Sequence, residues 1–232
     1  MYTIGPMMIL SAYLFEKTHN VTYQSVAQLS LDFIINHLWN GTIVLDGIYL
    51  DSCAAFDNAP SSVNQAWFVE GLAVWANVTQ NDTLTAILNM ALPTITTFPM
   101  WTTPDGVVND QNEEFYQAVK GIYIRGLAEA RMRNPGTDLA RYIEAYINVQ
   151  FNAVLDLSRA AAPNDNYYSR SWIGPPATSF DAYANIGALD LLNAAFSLVE
   201  PSTSVLRVFI FITTARLIQA QTFRQQLLYH YQ

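Results

Sequence analysis

The sequence predicts an all-α protein built as a toroid of helical hairpins. Apolar residues recur at spacings of three and four along most of the chain, whereas the alternating pattern of strands is weak. The connections between the predicted helices alternate between short and long. Short connections make antiparallel hairpins, so the long loops are expected to gather at one end of an α/α toroid.

The predicted helices cover residues 3–18, 22–38, 61–78, 82–98, 112–133, 137–160, 178–199 and 203–229. Three of the odd-numbered helices, 61–78, 112–133 and 178–199, carry glycines at Gly71, Gly121, Gly126 and Gly187. A glycine costs about 1 kcal/mol in a helix interior, so these positions indicate that another element packs close to the backbone. We expect these three helices to line the inside of the ring, with the even-numbered helices outside.

The composition excludes several classes of function. The 232 residues are 51% hydrophobic and 13% charged, which indicates a globular protein with one domain as the default. A formal charge of -8 argues against nucleic acid as a partner. Cys53 is the only cysteine and the three histidines lack ligand spacing, so we expect no disulfide within the chain, no metal and no cofactor. No apolar stretch has the length of a membrane span.

An acidic cluster precedes the fifth predicted helix and has two interpretations. Asp105, Asp110, Glu113 and Glu114 could supply catalytic carboxylates, or Asp110 and Glu113 could form a capping box at the helix start. The spacing favours helix capping for the two glutamates. The long loops also place aromatic residues beside carboxylates, as in Trp39 and Asp46. That mixture suits a carbohydrate ligand, although the same aromatic residues could simply cover the end of the toroid.

The signals for cellular compartment conflict. Glycosylation sequons begin at Asn20, Asn40, Asn77 and Asn81, which is typical of a secreted protein. The first fifteen residues lack the basic region of a signal peptide. We therefore expect secretion or a cell-wall location for the intact protein, with no signal peptide in this chain.

Residues 61–79, 105–133 and 168–176 carry recognisable motifs. These three stretches resemble glycoside hydrolase family 76, the endo-α-1,6-mannanases of fungi and bacteria, which include fungal cell-wall proteins. Within them, Asn64-Gln65-Ala66 stands where the family has Asn-x-Gly, the segment 119–123 matches its Phe-Lys-Gly-Ile-Phe helix, and Trp172-Ile173-Gly174 matches a late Trp-x-Gly. The likeness extends from about residue 3 to about residue 199.

The resemblance implies an (α/α)6 barrel that hydrolyses α-1,6-mannan or a related cell-wall glycan with retention of configuration. The family uses two consecutive aspartates, one as nucleophile and one as general acid/base. This sequence contains no Asp-Asp dipeptide, so no catalytic residue is assigned. The chain is expected to be an N-terminally truncated, incomplete barrel over 1–200 with an atypical helical tail over 201–232. It should be impaired in activity, with the apolar flank of its first helix (Met7, Leu10, Leu14) facing water.

The residues predicted to wall a sugar cleft are those that begin inner helices or occupy the adjoining loops: Asn64, Gln65, Trp67, Asp110, Gln111 and Trp172. Lys120 is a weaker candidate, because it could simply pair with a carboxylate. The expected partner is α-mannan or a mannose-containing oligosaccharide. Two alternatives stay open: a catalytically silent protein that binds mannan or cell-wall glycan, and a helical scaffold without sugar binding. The sequence leaves the oligomeric state open.

Overall fold

The structure is a computed structural model that describes residues 1–55, 61–109 and 114–198. Residues Met1–Ala195 make one compact unit. The described residues form helices and isolated bridges, without strands. The helices are α1 (Ile4–Thr18), α2 (Val21–Phe33), α3 (Ser62–Thr79), α4 (Asp82–Thr96), α5 (Glu114–Arg133), α6 (Asp138–Ala153) and α7 (Ala182–Ser197).

The odd-numbered helices run parallel to one another. Contacts align α1 with α3 and α3 with α5 in the same direction, from the starts of the helices to their ends. The pairs in contact are Gly5–Trp67, Phe15–Trp75, Ala66–Gly126 and Asn77–Arg133. Each even-numbered helix returns the chain, so the long connections lie at the end where α3, α5 and α7 begin. The predicted all-α hairpin architecture is confirmed.

Close backbone packing explains the glycines of the inner helices. A Cβ atom on residue 126 would lie 2.7 Å from the carbonyl oxygen of Ala66 on α3, and one on residue 121 would lie 3.0 Å from the Cα of Gly187 on α7. Helix α3 is buried on almost all sides from Ser62 to Ala76. It therefore lies inside the packed unit, with α1, α4 and α5 against it.

Two of the predicted helices end differently from the expectation. The predicted helices 22–38 and 137–160 leave α-helical geometry at Phe33 and Ala153, and each ends in a π-helical turn, Ile34–Leu38 and Val154–Ser158. Each turn leads directly into a long loop. Helix α7 begins at Ala182 rather than at 178 because the Asp181 carboxylate accepts a hydrogen bond from the Ala184 amide.

Several predictions lie outside the described residues. They are the helix 203–229, the tail 201–232 and the capping box of Asp110 and Glu113. Within the described part of the chain, no helix has both the length and the apolar character that crossing a membrane requires.

Candidate functional site

Three long loops lie at the end of the unit where the inner helices begin. Within the described residues, loop L1 is 39–55 and 61, loop L2 is 97–109 and loop L3 is 159–181. Each loop folds back on itself through an antiparallel bridge. The bridged pairs that lead into the loops are Trp39–Val44 in L1, Thr102–Val108 in L2 and Arg159–Tyr168 in L3, and L1 has a second bridge, Ile48–Ala55.

A helix side-chain amide holds each of these bridges in place. In L1, the Gln65 Oε1 atom accepts a hydrogen bond from the Val44 N–H, and Gln65 Nε2 donates to the Val44 carbonyl, both at 2.8 Å. In L2, Gln150 of α6 accepts from the Val108 N–H at 2.8 Å and donates to the Gly106 carbonyl at 2.7 Å.

Loop L3 repeats the arrangement with an asparagine. Asn185 of α7 accepts from the Tyr168 N–H at 3.1 Å and donates to the Asn166 carbonyl at 2.9 Å. In all three loops, one carboxamide pairs with both a backbone donor and a backbone acceptor. These hydrogen bonds attach each loop to a helix, in place of the hydrogen bonds that a β-strand would make. The sequence predicts Gln65 as a sugar contact, but in the structure its amide is hydrogen-bonded to the backbone of Val44.

Asn64 and Asp46 form the most polar part of the site. Asn64 lies at the start of α3 and is fully buried. Its Nδ2 atom donates to Asp46 Oδ1 of L1 at 3.1 Å. Its Oδ1 atom accepts no hydrogen bond from the residues that the structure describes. A buried amide oxygen without a donor costs about 1–3 kcal/mol, which a ligand hydroxyl could recover.

Trp67 lies one turn further along α3 and is half-buried. Its ring packs edge-on against Tyr2, with 5.0 Å between the ring centroids. Gly5 of α1 brings its backbone against the Trp67 Cβ, because a Cβ on residue 5 would lie 2.8 Å from that atom. These contacts fix the orientation of the indole ring at the α1–α3 junction.

Lys120 and Trp172 meet where α5 faces L3. The Lys120 Nζ atom lies 5.1 Å from the centroid of the Trp172 ring, and both side chains are buried. A cation over an indole face at this distance is an attractive electrostatic contact. The structure therefore brings together two residues that the sequence analysis had named separately.

A second polar cluster, which sequence reasoning missed, lies deeper among the inner helices. Glu70 of α3 and Asp190 of α7 both face Arg125 of α5. The Glu70 Oε2 atom lies 3.9 Å from Arg125 Nε, and the Tyr13 hydroxyl donates to Glu70 Oε1 at 3.3 Å. The lone acidic position in the buried, apolar stretch of α3 was the available signal.

Burial dominates the electrostatics of this cluster. It raises the pKa of Glu70, and Arg125 opposes the shift. Burial likewise raises the pKa of Asp190 against the effect of Arg125. Burial, followed by the Glu129 and Glu70 carboxylates, raises the pKa of the Tyr13 hydroxyl. Carboxyl groups with raised pKa values hold their protons to higher pH and can donate them.

Some of the remaining predicted site residues lie outside the described residues, and others lie on the surface. Asp110 and Gln111 lie outside the described residues. Among the sequon asparagines, Asn20, Asn40 and Asn81 are exposed, whereas the Asn77 side-chain nitrogen donates to the Arg133 carbonyl at 3.4 Å. Within the described residues, no group of three His, Cys, Asp or Glu side chains could hold a metal ion.

Comparisons with known proteins gave matches in structure alone. No family model and no curated protein matches the chain. The GH76A α-1,6-mannanase from Salegentibacter sp. HEL1_6 matches with a TM-score of 0.73 at 14% identity, over 84% of this chain and 58% of that chain. An inactive variant of that enzyme, with two aspartates replaced by asparagine, is in complex with α-1,6-mannotriose; it matches with a TM-score of 0.74 at 15% identity, over 84% and 58% of the two chains.

A fungal protein also matches this chain in structure. Dfg5 from Chaetomium thermophilum, in complex with glucosamine, matches with a TM-score of 0.65 at 18% identity, over 84% of this chain and 50% of that one. This chain has the fold of the glycoside hydrolase family 76 α-1,6-mannanases. It spans between half and three fifths of the length of these proteins.

Proposed function

We propose that this chain forms part of a glycoside-hydrolase-type domain that recognises α-1,6-mannan or mannose-containing oligosaccharides. The saccharide would lie at the end of the unit that carries loops L1, L2 and L3, where the inner helices begin. The fold shared with the family 76 mannanases supports this proposal, and so does the α-1,6-mannotriose held by the Salegentibacter variant. Secretion of the intact protein, or its location in a cell wall, belongs to the same proposal.

The observation that carries the proposal is the buried amide of Asn64. Its oxygen has no donor among the described residues, and its nitrogen is fixed by Asp46. Sugars offer several hydroxyl groups that both donate and accept, so a fixed amide beside a carboxylate can orient one of them. Trp67, one turn along α3 and half-buried, supplies aromatic surface of the type on which the apolar face of a sugar ring packs.

We expect recognition without rapid hydrolysis by this chain. The resemblance assigns nucleophile and acid/base to two consecutive aspartates, and the sequence contains no such pair. Where two carboxylates act as a unit, loss of one already removes most of the rate. Glu70 and Asp190 are carboxyl groups with raised pKa values, but each interacts electrostatically with Arg125, and neither belongs to an Asp-Asp pair.

Calorimetry tests the proposal directly. The chain 1–232 is titrated with α-1,6-mannotriose and with isomaltotriose, which has the same linkage but glucose units. We expect binding of the mannose trisaccharide, a loss of about tenfold or more in Asn64→Leu, and no change in the exposed control Asn36→Leu. Equal affinity for the two trisaccharides, or no binding of either, would contradict the proposal.

A hydrolysis assay tests the catalytic part separately. The chain is incubated with α-1,6-mannan and the released oligosaccharides are measured by chromatography beside an intact family 76 mannanase. We expect release far below that of the intact enzyme. Turnover within about tenfold of it, a barrier difference of ~1.4 kcal/mol, would show that this chain carries its own catalytic pair.

A further inference from the structure

The structure separates one of the four Asn-x-Thr sequons from the other three. Asn20, Asn40 and Asn81 are exposed, and so are the two residues that follow each of them. Asn77 is half-buried and lies in the last turn of α3. An N-linked oligosaccharide is bulky and must stay in solvent, so exposure favours the three sequons over the one at Asn77.

The three exposed asparagines use the oxygen of the side-chain amide within the protein. Each Oδ1 atom accepts a hydrogen bond from the backbone N–H of the threonine of its own sequon, at 2.9 Å for Asn20, 2.9 Å for Asn40 and 3.0 Å for Asn81. No described residue accepts a hydrogen bond from the Nδ2 atoms of these three side chains. Because Nδ2 is the atom to which the sugar is attached, each of the three acceptor atoms is available.

Asn77, in contrast, uses both ends of its carboxamide. Its Nδ2 atom donates to the Arg133 carbonyl at 3.4 Å, and its Oδ1 atom accepts from Arg133 Nη1 at 3.2 Å. The threonine of the same sequon, Thr79, donates its hydroxyl to the Trp75 carbonyl at 2.6 Å. A sugar on Asn77 Nδ2 would take the place of the last residue of α5, so a chain modified there could not form this junction of α3 with α5.

Two of the exposed sequons lie at the same end of the unit. Asn20 joins α1 to α2 and Asn81 joins α3 to α4, and α1 and α3 run parallel to each other. Both links therefore lie at the end opposite the start of α3, where Asn64 is buried. Asn40 lies in the turn that closes the bridge Trp39–Val44 of L1. Oligosaccharides on Asn20 and Asn81 would cover the end of the unit that does not carry the loops.

Helix capping is the alternative explanation for two of these asparagines. Asn20 and Asn81 are the N-cap residues of α2 and α4, a position at which asparagine is favoured. Capping requires the backbone N–H two residues later and not the threonine side chain, and α6 is capped by Thr137 without a sequon. No helix begins at Asn40, so helix capping does not account for its sequon.

We propose that Asn20, Asn40 and Asn81 carry N-linked oligosaccharides in the intact protein and that Asn77 carries none. This inference rests on the secretion that belongs to the proposed function. The donor is an oligosaccharide joined through its C1 atom to a lipid diphosphate. A bond forms between Nδ2 and C1, the bond between C1 and the phosphate oxygen breaks, Nδ2 loses one proton, and the lipid diphosphate leaves with the bonding electrons.

Peptide mapping tests each position separately. The full chain is fused to a secretory leader in a eukaryotic host, and protein is recovered from both the medium and the cells. Peptide N-glycosidase in heavy-oxygen water converts each modified asparagine to a labelled aspartate. We expect label at Asn20, Asn40 and Asn81 and an unlabelled Asn77. Since the leader is supplied, the result does not depend on native secretion, and calorimetry with α-1,6-mannotriose tests recognition independently.

Paired substitutions separate modification from capping. Asn20→Asp and Asn81→Asp keep an oxygen that caps the helix and remove the acceptor nitrogen. Thr22→Ala and Thr83→Ala keep the capping asparagine and remove the sequon. Each of the four variants should lose one oligosaccharide, which is measured as one step of gel mobility. Asn77→Asp is the control and should leave the number of oligosaccharides unchanged.

Two results would overturn the inference. Label at Asn77 in the protein from the medium would show that its contacts with Arg133 do not exclude a sugar. An unlabelled Asn20, Asn40 or Asn81 in both fractions would refute the assignment at that position and, for Asn20 and Asn81, would leave capping as the full explanation. Absence of mannotriose binding in a chain labelled as expected would contradict the proposed recognition and support this inference.

Discussion

At the scale of single residues, glycines set the distance between the inner helices. A Cβ at residue 126 would lie 2.7 Å from the Ala66 carbonyl oxygen, which is backbone of α3 and has little freedom to move. At residue 71, the nearest atom to such a Cβ is the Met8 Cε at 2.1 Å, the end of a flexible side chain. The two glycines therefore differ in how far their surroundings can adjust.

The first prediction compares alanine at these two positions. Alanine is favoured over glycine in a helix by about 1 kcal/mol, whereas overpacking costs about 1–3 kcal/mol. For Gly126→Ala the clash with backbone should prevail and lower the free energy of unfolding by about 1–2 kcal/mol. Gly71→Ala should be closer to neutral, because Met8 can change rotamer. Urea denaturation measures both, and a Gly126→Ala variant as stable as the wild type would refute the account of close packing.

Glu70 gives the second prediction, which concerns pH. Burial raises the pKa of Glu70 above its usual 4.5, with Arg125 opposing, Glu129 assisting and the Tyr13 hydrogen bond opposing. The folded protein therefore holds this proton more tightly than the unfolded chain. Stability from this source is complete below about pH 4.5 and is lost as the pH rises through the folded pKa.

Glu70→Gln removes that ionisation and keeps an oxygen that can accept from Tyr13. The free energy of unfolding of the variant, relative to the wild type, should rise as the pH increases from 4.5 towards neutrality. Denaturation curves across this range measure the difference. Asp138→Asn, at a carboxylate that is 97% exposed, is the control and should give a smaller dependence. A Glu70→Gln curve parallel to that of the wild type would count against the raised pKa.

The sequence predicted residues whose neighbours in the chain reveal their role. It missed residues whose partners are distant in the sequence. The glycine positions were informative because a helix-breaking residue inside a helix needs a packing reason. Lys120 and Trp172 were both named, but their contact joins residues 52 positions apart. Gln150 carries no local mark, because its partners Gly106 and Val108 are more than forty residues away. Pairing of that kind depends on how the helices are placed.

At the scale of elements, Arg133 joins the ends of the three odd-numbered helices α1, α3 and α5. The last residue of α5 donates from Nη2 to Glu16 Oε2 of α1 at 3.1 Å, from Nη1 to Asn77 Oδ1 of α3 at 3.2 Å and from Nε to Glu129 Oε1 at 2.8 Å. The hydrogen bond from Arg133 lowers the pKa of Glu16. One planar guanidinium thus binds side chains of three helices at once.

The third prediction is that Arg133→Met destabilises the protein far more than Arg141→Met. The Arg133 side chain is 16% exposed, so its removal leaves two partly buried carboxylates unpaired and should cost about 2 kcal/mol of unfolding free energy. Arg141 pairs with Asp138 at 63% and 97% exposure, where an ion pair contributes about 0–1 kcal/mol. Both variants lose one positive charge, so chemical denaturation isolates the effect of position. Equal losses of unfolding free energy in the two variants would show that the hydrogen bonds of Arg133 to α1 and α3 contribute no more than the exposed Arg141–Asp138 pair.

The elements themselves were mostly predictable, and their ends were less so. The periodic apolar pattern placed all seven described helices, because a helix that buries one face repeats every three or four residues. The π-helical turns Ile34–Leu38 and Val154–Ser158 continue the apolar pattern, and nothing in the residues marks the extra residue per turn. The loops were expected as long connections, but their bridges depend on amides from distant helices.

At the scale of the whole molecule, the first and last described helices each leave an apolar face in water. Met7 and Leu10 on α1 are exposed as predicted, whereas Leu14 is half-buried. On α7, Tyr183, Ile186 and Leu189 are exposed at helical spacing, opposite the buried face that includes Gly187 and Leu191. Contiguous exposed apolar patches of this kind promote association between protein molecules.

The fourth prediction is that the chain associates through these faces as its concentration rises. Sedimentation velocity should show a weight-average sedimentation coefficient that increases with concentration for the wild type. Leu10→Glu and Leu189→Glu each place a charge within an apolar face and should reduce that increase, because burying an unpaired carboxylate in a contact is costly. Met90→Glu is the matched control, because it adds the same charge at a helical position of equal exposure. Met90 and Leu10 are each 57% exposed, and Leu189 is 56% exposed. Met90 lies on α4, where no other large apolar side chain is exposed. If Met90→Glu suppressed association as strongly as the other two, net charge would be responsible and the two faces would not be the contact surfaces.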